Sequence, residues 1–315
     1  MRGLLLLALL ALAGCKPAEV ALGVPPGFYP SAVAHDPVND RFFVGSHATG
    51  AIAMVRRDGS MIGTVRPEAA PHPIVQLGYD ARVRRLWALT PNVVEVVDLA
   101  ALPVRRTVIA RAGPGGRFAD LATAGGPLAF VLDAAGGAIV AVDAGRGTAR
   151  VLAQLPDDGE GEGSLAVLPD RSALVVARAG GLWRVAVGTG TVERVALGAP
   201  LTDVSQLVVV ASDATAHRVA AFRGRANEIV TLYLTSDARR AVVDAGTRMR
   251  FDTPLHGVLE GREVVVLLGR LRHHPSLGGD GRPNLPPRLA TYFPGRAGPP
   301  RLAESLPTAG AALVR

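Results

Sequence analysis

The stretch from Tyr29 to Ser60, YPSAVAHDPVNDRFFVGSHATGAIAMVRRDGS, determines the fold of this chain. Its alternation of apolar and β-branched runs with turn residues predicts three short strands. These strands are Ser31 to Ala34, Arg41 to Ser46 and Ala51 to Arg56, and the last of them ends at an Asp-Gly turn dipeptide. Three strands joined by tight turns form a meander, and a lone meander cannot bury its own apolar face. The unit therefore has to recur if the chain is to form a core.

The unit recurs along the whole chain. The apolar run that corresponds to the second strand starts near Phe42, Leu86, Leu128, Ala173, His217 and Arg262. The successive separations are 44, 42, 45, 44 and 45 residues. Repeats of this length with several strands each are typical of β-propellers. The sequence therefore predicts an all-β, six-bladed β-propeller of four-stranded antiparallel blades over residues 28–315, with its functional surface at the mouth of the central channel.

Composition agrees with a globular, turn-rich protein. Of the 315 residues, 49% are hydrophobic, and there are 37 Gly and 24 Pro. The formal charge of +7 does not indicate nucleic-acid binding, because Lys16 is the only lysine and the Arg residues are scattered over strand ends and turns. Tracking a phosphate backbone requires clustered cations. We expect a monomer with no nucleic-acid partner.

The amino terminus resembles a bacterial lipoprotein signal. Arg2 precedes an unbroken Leu/Ala run from Leu4 to Leu12, and small residues lead to Cys15. The run is too short to cross a bilayer and is typical of a signal-peptide core. Cys15 is the only cysteine in the chain, so no intramolecular disulfide can form. We predict a signal peptide over residues 1–14 and acylation of Cys15; an ordinary secretory signal with an incidental cysteine is the alternative.

Several acyl chains on one residue would anchor the protein stably to a membrane. We therefore predict that residues 15–27 form a short lipidated tether, which ends in Pro25-Pro26-Gly27. An Asp after the lipidated Cys would resemble an inner-membrane retention signal, but the next residue is Lys16. We therefore expect the cell envelope as location, at the periplasmic face of an outer membrane.

Two groups of motifs resemble a known family. The first comprises Phe28-Tyr29-Pro30, the Asp36-Pro37 turn, Phe43-Val44-Gly45-Ser46 and Gly50-Ala51-Ile52. The second comprises Phe118 to Ala122, followed by Asp133 and Gly137-Ala138-Ile139. They are similar to blades one and three of the gluconolactonase-like propellers, a six-bladed group that also includes regucalcin-like proteins. The resemblance covers roughly residues 28–271.

The resemblance implies a divalent cation, often calcium, at the channel mouth. Carboxylate and amide oxygens would hold the cation, which would polarise a lactone carbonyl. Three positions of this chain depart from the family's ligand set: Ser31 replaces a Glu, Gly163 an Asn and Ser205 an Asp. Asp120 alone fits the pattern, and Ala119 precedes it where the family has Asn.

Other carboxylates could rebuild the site. The loop from Asp157 to Glu162 enters blade four, and Asp203 lies two residues from the blade-five position. Asp120, Glu162 and Asp203 are therefore the candidate metal ligands, with calcium as the candidate cofactor. The alternative is a solvated acidic hairpin without an ion.

The histidines are the remaining candidates for a general base or for metal ligands. His72 and His256 precede the first strands of blades two and six and could point into the channel, so they are the candidates for a general base. His35 and His47 are expected in solvated turns, and adjacent side chains such as His273 and His274 diverge too much to hold one metal ion.

Two functions follow from different classes. The first is a non-catalytic, lipid-anchored envelope propeller that binds a small ligand or an envelope protein at its channel mouth. The second is a lactone hydrolase of the gluconolactonase kind with altered metal ligands. The loss of the family's Glu and Asn favours the first, and Asp120 keeps the second open.

Overall fold

The computed structural model describes residues 19–66, 72–156, 163–251, 253–269 and 286–292, with residues 271, 274, 275, 279 and 294 and without the side chains of 245–248. The predicted signal peptide, Cys15, Glu162 and the segment 308–315 lie outside these residues. In the part that is described, no helix has the length and hydropathy of a membrane span. The described chain is built from 25 strands in six sheets.

The first three blades are four-stranded antiparallel meanders, and in each of them the strands follow chain order from the inner to the outer edge. Blade one contains β2 (Pro30–Asp36), β3 (Arg41–Ser46), β4 (Ile52–Arg56) and β5 (Met61–Arg66). Blade two contains β6 (Gln76–Asp80), β7 (Arg85–Leu89), β8 (Val93–Asp98) and β9 (Arg105–Arg111). Blade three contains β10 (Phe118–Thr123), β11 (Leu128–Asp133), β12 (Ala138–Asp143) and β13 (Thr148–Gln154).

The other three blades follow the same plan with two additions. Blade four contains β14 (Gly163–Val167), β15 (Ala173–Arg178), β16 (Gly181–Ala186) and β17 (Val192–Arg194). Blade five contains β19 (Val204–Ser212), β20 (Ala216–Arg223), β21 (Glu228–Thr235) and β22 (Arg240–Arg250), and the short β18 (Ala196–Leu197) pairs parallel to β22. Blade six contains β23 (Pro254–Glu260), β24 (Glu263–Leu268), β25 (Arg288–Tyr292) and, outermost, β1 (Glu19–Ala21). The predicted six-bladed all-β fold is confirmed.

The turns between strands use one recurrent device. An Asp near the end of a strand accepts a hydrogen bond from a backbone N–H two residues later, which is the Asx-turn geometry. The residues that do so are Asp36, Asp58, Asp80, Asp98, Asp133, Asp143, Asp170, Asp213 and Asp237. The Asp-rich turns of the sequence therefore close the hairpins that make the meanders.

The core lies between the blades. Six clusters of buried apolar side chains fill the six interfaces between neighbouring sheets. Each blade is therefore buried on both faces, which explains near-continuous apolar runs such as Val264–Leu268. The innermost strands β2, β6, β10, β14, β19 and β23 surround the central channel, as predicted.

The amino-terminal segment corrects the predicted domain boundary. Glu19–Ala21 forms β1 and pairs antiparallel with β25, so the first part of the described chain completes the last blade. Leu22 and Phe28 are buried in the cluster between blades six and one. The structure therefore differs from the predicted tether over residues 15–27, because β1 adds the outermost strand to blade six and this pairing closes the ring.

Candidate functional site

A ring of equivalent positions surrounds the channel near the end where the inner strands begin, which we call the entry end. One residue from each inner strand occupies the ring: Ala32, Gln76, Asp120, Ser164, Gln206 and His256. In blades one, three, five and six a β-bulge immediately precedes the ring residue. A bulge re-aims the side chain that follows it, so the backbone turns these side chains toward the neighbouring blade.

Asp120 accepts more hydrogen bonds than any other residue of this ring. Its Oδ1 accepts hydrogen bonds from Gln76 Nε2 at 2.7 Å and from the N–H of Leu121 at 2.7 Å. Its Oδ2 accepts from the Ser164 hydroxyl and from the N–H of Leu165 at 2.9 Å. A carboxylate offers about four lone-pair sites, and here four protein donors occupy them. Asp120 is 1% exposed.

The same arrangement continues around the ring. The N–H of Leu207 donates to Ser164 Oγ at 2.8 Å, and the N–H of Gly257 donates to Gln206 Oε1 at 2.5 Å. Inner strands have one edge without a neighbouring strand, and its buried N–H groups need partners. From blade three to blade six, the ring side chain of one blade therefore satisfies an N–H group on the open inner edge of the next blade.

Burial shifts the pKa values of two ring residues, Asp120 and His256. Desolvation raises the pKa of Asp120 to about 6, although the hydrogen bonds from Ser164, Gln76 and two N–H groups act in the opposite direction. Desolvation also lowers the pKa of His256 to about 4. The Nδ1 atom of His256 is buried and has no hydrogen-bond partner among the described residues. A histidine with so low a pKa is a weak general base at neutral pH.

The three positions that depart from the family pattern are structural in this chain. The Ser31 hydroxyl donates to the carbonyls of Ile74 and of Gly45, the latter at 3.3 Å. The Ser205 hydroxyl donates to the carbonyls of Phe222 and Leu255 at 3.3 and 3.4 Å. At Gly163, an added Cβ would lie 2.8 Å from Leu132 Cδ2, so no side chain fits there without repacking.

The predicted metal ligands do not form a described cluster. Asp203 is exposed, with a positive φ of 59°, and Glu162 lies outside the described residues. A cation at Asp120 would have to displace at least one of its four donors. The predicted calcium site at the mouth therefore stays a prediction, and the hydrogen bonds of Asp120 oppose it. His72, the other candidate base, is exposed.

A group of rings at the entry end has no counterpart among the sequence predictions. Tyr29 and His274 make an edge-to-face contact with centroids 4.5 Å apart, and His47 lies 5.2 Å from His274. The sequence predicts a solvated His47, but burial and the nearby His274 lower its pKa. Closure of the ring brings blades six and one together, and no local sequence signal shows that these two histidines meet.

The channel itself holds a cavity of about 440 Å³, which is within the range of small-molecule sites. Its wall is mainly aliphatic side chains and glycine from all six inner strands. Polar side chains are few: Gln76 and Gln206 from the ring, Thr123, and His35 and Tyr79 toward the end where the inner strands finish. We call that second end the exit end.

Comparison with known proteins supports the fold. No protein-family model matches the chain, and no curated protein matches it. Among solved structures, an auxiliary nutrient binding protein from Bacteroides ovatus has a TM-score of 0.60 at 12% identity, over 88% of this chain and 77% of that one. Virginiamycin B lyase from Staphylococcus aureus has a TM-score of 0.59 at 11% identity, over 88% and 99%. The periplasmic gluconolactonase of Pseudomonas aeruginosa has a TM-score of 0.53 at 16% identity, over 72% of each chain. The predicted resemblance to gluconolactonase-like six-bladed propellers is thus confirmed at the level of the fold.

Proposed function

We propose that this protein is a lipid-anchored, non-catalytic propeller of the bacterial cell envelope that binds a small ligand in its central channel. The observation that carries the proposal is the saturation of Asp120 by Gln76, Ser164 and the N–H groups of Leu121 and Leu165. The one residue that fits the family's metal site is thereby committed to holding the inner strands together.

The cavity supports binding of a small molecule. An apolar wall with two amide side chains at one end suits a ligand with an apolar body and a few hydrogen-bonding groups. Tyr29, His47 and His274 lie at the same end and add aromatic and imidazole surface beside the mouth. Propellers of similar fold include a protein named for nutrient binding, which is compatible with this function.

Lactone hydrolysis is the second candidate. It is favoured by the fold shared with a periplasmic gluconolactonase and by Asp120, whose raised pKa of about 6 would let it exchange a proton near neutral pH. Without a cation or another electrophile, however, the carbonyl would lack the main source of transition-state stabilisation.

One experiment separates the two functions. Gluconolactone turnover and thermal unfolding are measured with and without millimolar calcium, for the wild type and for Asp120→Asn. The binding function predicts no turnover and no calcium-dependent rise in melting temperature, because a cation that binds only the folded state must raise it. Turnover or a calcium-dependent rise that Asp120→Asn abolishes would overturn the proposal in favour of the hydrolase.

The anchor has a separate test. Expression in a Gram-negative host with a labelled fatty acid should label the wild-type chain and place it in the outer-membrane fraction. Cys15→Ser should remain unlabelled and appear in the soluble fraction. Equal membrane association of both proteins would contradict acylation at Cys15 as the anchor.

A further inference from the structure

Three side chains that can ligate metal ions converge at the exit end of the channel. His35 lies near the end of β2, Glu260 is the last residue of β23, and Asp40 belongs to the turn between β2 and β3. One ligand atom from each residue lies within 4.8 Å of the others. Among the described residues, this is the one group of three or more such side chains. It lies at the end of the channel opposite to Asp120.

The group contains buried atoms without hydrogen bonds. The side chain of His35 is 8% exposed and that of Glu260 is 15% exposed. His35 Nε2 lies 3.4 Å from Glu260 Oε1. Neither His35 Nε2 nor Glu260 Oε2 makes a hydrogen bond with any described residue. Buried polar atoms are nearly always satisfied, so these two atoms call for a further partner such as an ion or a water molecule.

The positions of the ligands are set by the fold. The imidazole of His35 stacks on Phe42, with centroids 4.8 Å apart and planes inclined by 26°. β2 and β23 are neighbouring inner strands, so His35 and Glu260 face each other across the junction of blades one and six. Asp40 sits in the turn with a positive φ of 44°, and one of its ligand atoms lies within 4.8 Å of those of His35 and Glu260.

A cationic side chain already occupies the outer side of the group. Arg57 contacts Glu260 Oε1, and its Nε lies 3.7 Å from Asp40 Oδ1. The side chain of Arg57 is 52% exposed, so it can swing into solvent at little cost. Its contacts show that this point attracts positive charge, but they leave His35 Nε2 and Glu260 Oε2 unsatisfied.

We propose that His35, Asp40 and Glu260 bind a divalent transition-metal ion such as Zn²⁺, which links the first and the last blade of the propeller. One imidazole and two carboxylates suit borderline ions of this class better than calcium, which takes oxygen ligands. At metal–ligand distances of about 2.1 Å, tetrahedral ligand atoms lie about 3.4 Å apart. His35 Nε2 and Glu260 Oε1 already have this separation, so the Asp40 carboxylate is the group that would move inward. Three protein ligands leave one position for water.

The test is calorimetric titration of the full-length chain, in detergent and without a histidine tag, with Zn²⁺ alone. We expect one ion per chain and a higher melting temperature with the ion. Asp40→Asn should weaken binding at least about 100-fold, since even indirect partners of metal ligands contribute 10–100-fold. The side chain of Asp40 is 68% exposed, so this change leaves the fold intact. His35→Gln and Glu260→Gln should act in the same way.

Two further variants make the result specific. Asp58→Asn, an exposed carboxylate in another turn of blade one, should bind as the wild type does. Arg57→Gln should tighten binding about two- to fivefold, because it removes a competing cation worth up to about 1 kcal/mol when converted through the dissociation constant. No Zn²⁺ binding, binding unaffected by Asp40→Asn, or binding lost in His47→Gln instead would overturn the proposal.

Discussion

At the entry end of the channel, Asp120 is buried and accepts four hydrogen bonds. At the exit end, His35 and Glu260 are also largely buried, yet each keeps an atom that no described residue satisfies. Around Asp120 the entry end resembles a finished structural network, in which both oxygens of the carboxylate have partners, whereas His256 Nδ1 on the same ring has none among the described residues. At the exit end, His35 Nε2 and Glu260 Oε2 are unsatisfied, and a bound ligand would give them a partner. Burial of a titratable group therefore does not identify a site unless its hydrogen bonds are counted.

The strands explain the difference. Ring residues at the entry end are spaced by 44 residues from Gln76 to Asp120 and from Asp120 to Ser164, so each repeat supplies a partner for the next. The residues at the exit end come from an inner strand, a turn and a strand of another blade. Repeat symmetry cannot supply their partners. We therefore expect substitutions to affect stability most at the entry end and metal binding at the exit end.

The largest expected effect comes from Asp120→Ala. The change leaves Gln76, Ser164 and two backbone N–H groups without acceptors in a buried position. Each unsatisfied buried donor costs about 1–3 kcal/mol, and relaxation limits the total to about 3–5 kcal/mol of unfolding free energy. Denaturant unfolding measures it, with Asp203→Asn as the control at an exposed position, since Asn tolerates the positive φ there. A loss below about 1 kcal/mol would show that the ring does not hold the inner strands together.

Ser31→Glu should have the next largest effect. It introduces the carboxylate that the gluconolactonase-like pattern would place at this position, but Ser31 is 3% exposed and its hydroxyl faces two carbonyls. A carboxylate in that environment should destabilise the fold by about 2–4 kcal/mol, against about 1 kcal/mol for Ser31→Ala. Thermal unfolding with and without calcium provides the measurement. Stabilisation of Ser31→Glu by calcium would instead show that the mouth can still hold a cation.

Much of the fold can be predicted because the strands recur at a regular spacing along the sequence. Turn residues and apolar runs recur at every blade, so spacing alone locates the second strands from Phe42 to Arg262. The closing strand β1 escapes such prediction, because Glu19–Ala21 is three residues long and its partner β25 lies at the other end of the chain. Pairing between chain ends has no local signature.

The candidate sites are less predictable. Asp120 lies near the beginning of the inner strand β10, but the sequence cannot show that Gln76 and Ser164 use its oxygens. His35 follows an apolar run and precedes Asp36-Pro37, a pattern that predicts a turn; in the structure it lies inside β2, stacked on Phe42. Its approach to Glu260 depends on ring closure between blades one and six.

A smaller effect is expected from pH through His256. Burial lowers the pKa of this histidine to about 4 from an ordinary value of 6.5, so the unfolded state binds a proton first as the pH falls. Its contribution to stability is complete above pH 6.5 and is lost between pH 6.5 and 4. Asp120 acts in the opposite direction, because its pKa is raised to about 6 and its folded state gains protons first.

The variant His256→Gln isolates this term because it leaves Asp120 in place. The difference in unfolding free energy between wild type and variant should change by about 1–3 kcal/mol from about pH 7.5 to about pH 4.5, with the wild type losing more stability. Denaturant unfolding across this pH range measures the difference. A difference that is constant with pH would mean that His256 is solvated in the folded state.

The smallest effect is expected from Arg57→Gln in a metal-free buffer with chelator. Arg57 is half-exposed, and exposed ion pairs contribute about 0–1 kcal/mol, so its loss should change the unfolding free energy by less than about 1 kcal/mol. The variant leaves the carboxylates of Glu260 and Asp40 without their cation, and a bound metal ion would compensate their negative charge. Adding Zn²⁺ should therefore raise the melting temperature of Arg57→Gln more than that of the wild type, because the ion no longer competes with the guanidinium. A large loss of stability without metal would instead mean that Arg57 is itself the completing cation, and that the two ends of the channel do not differ in kind.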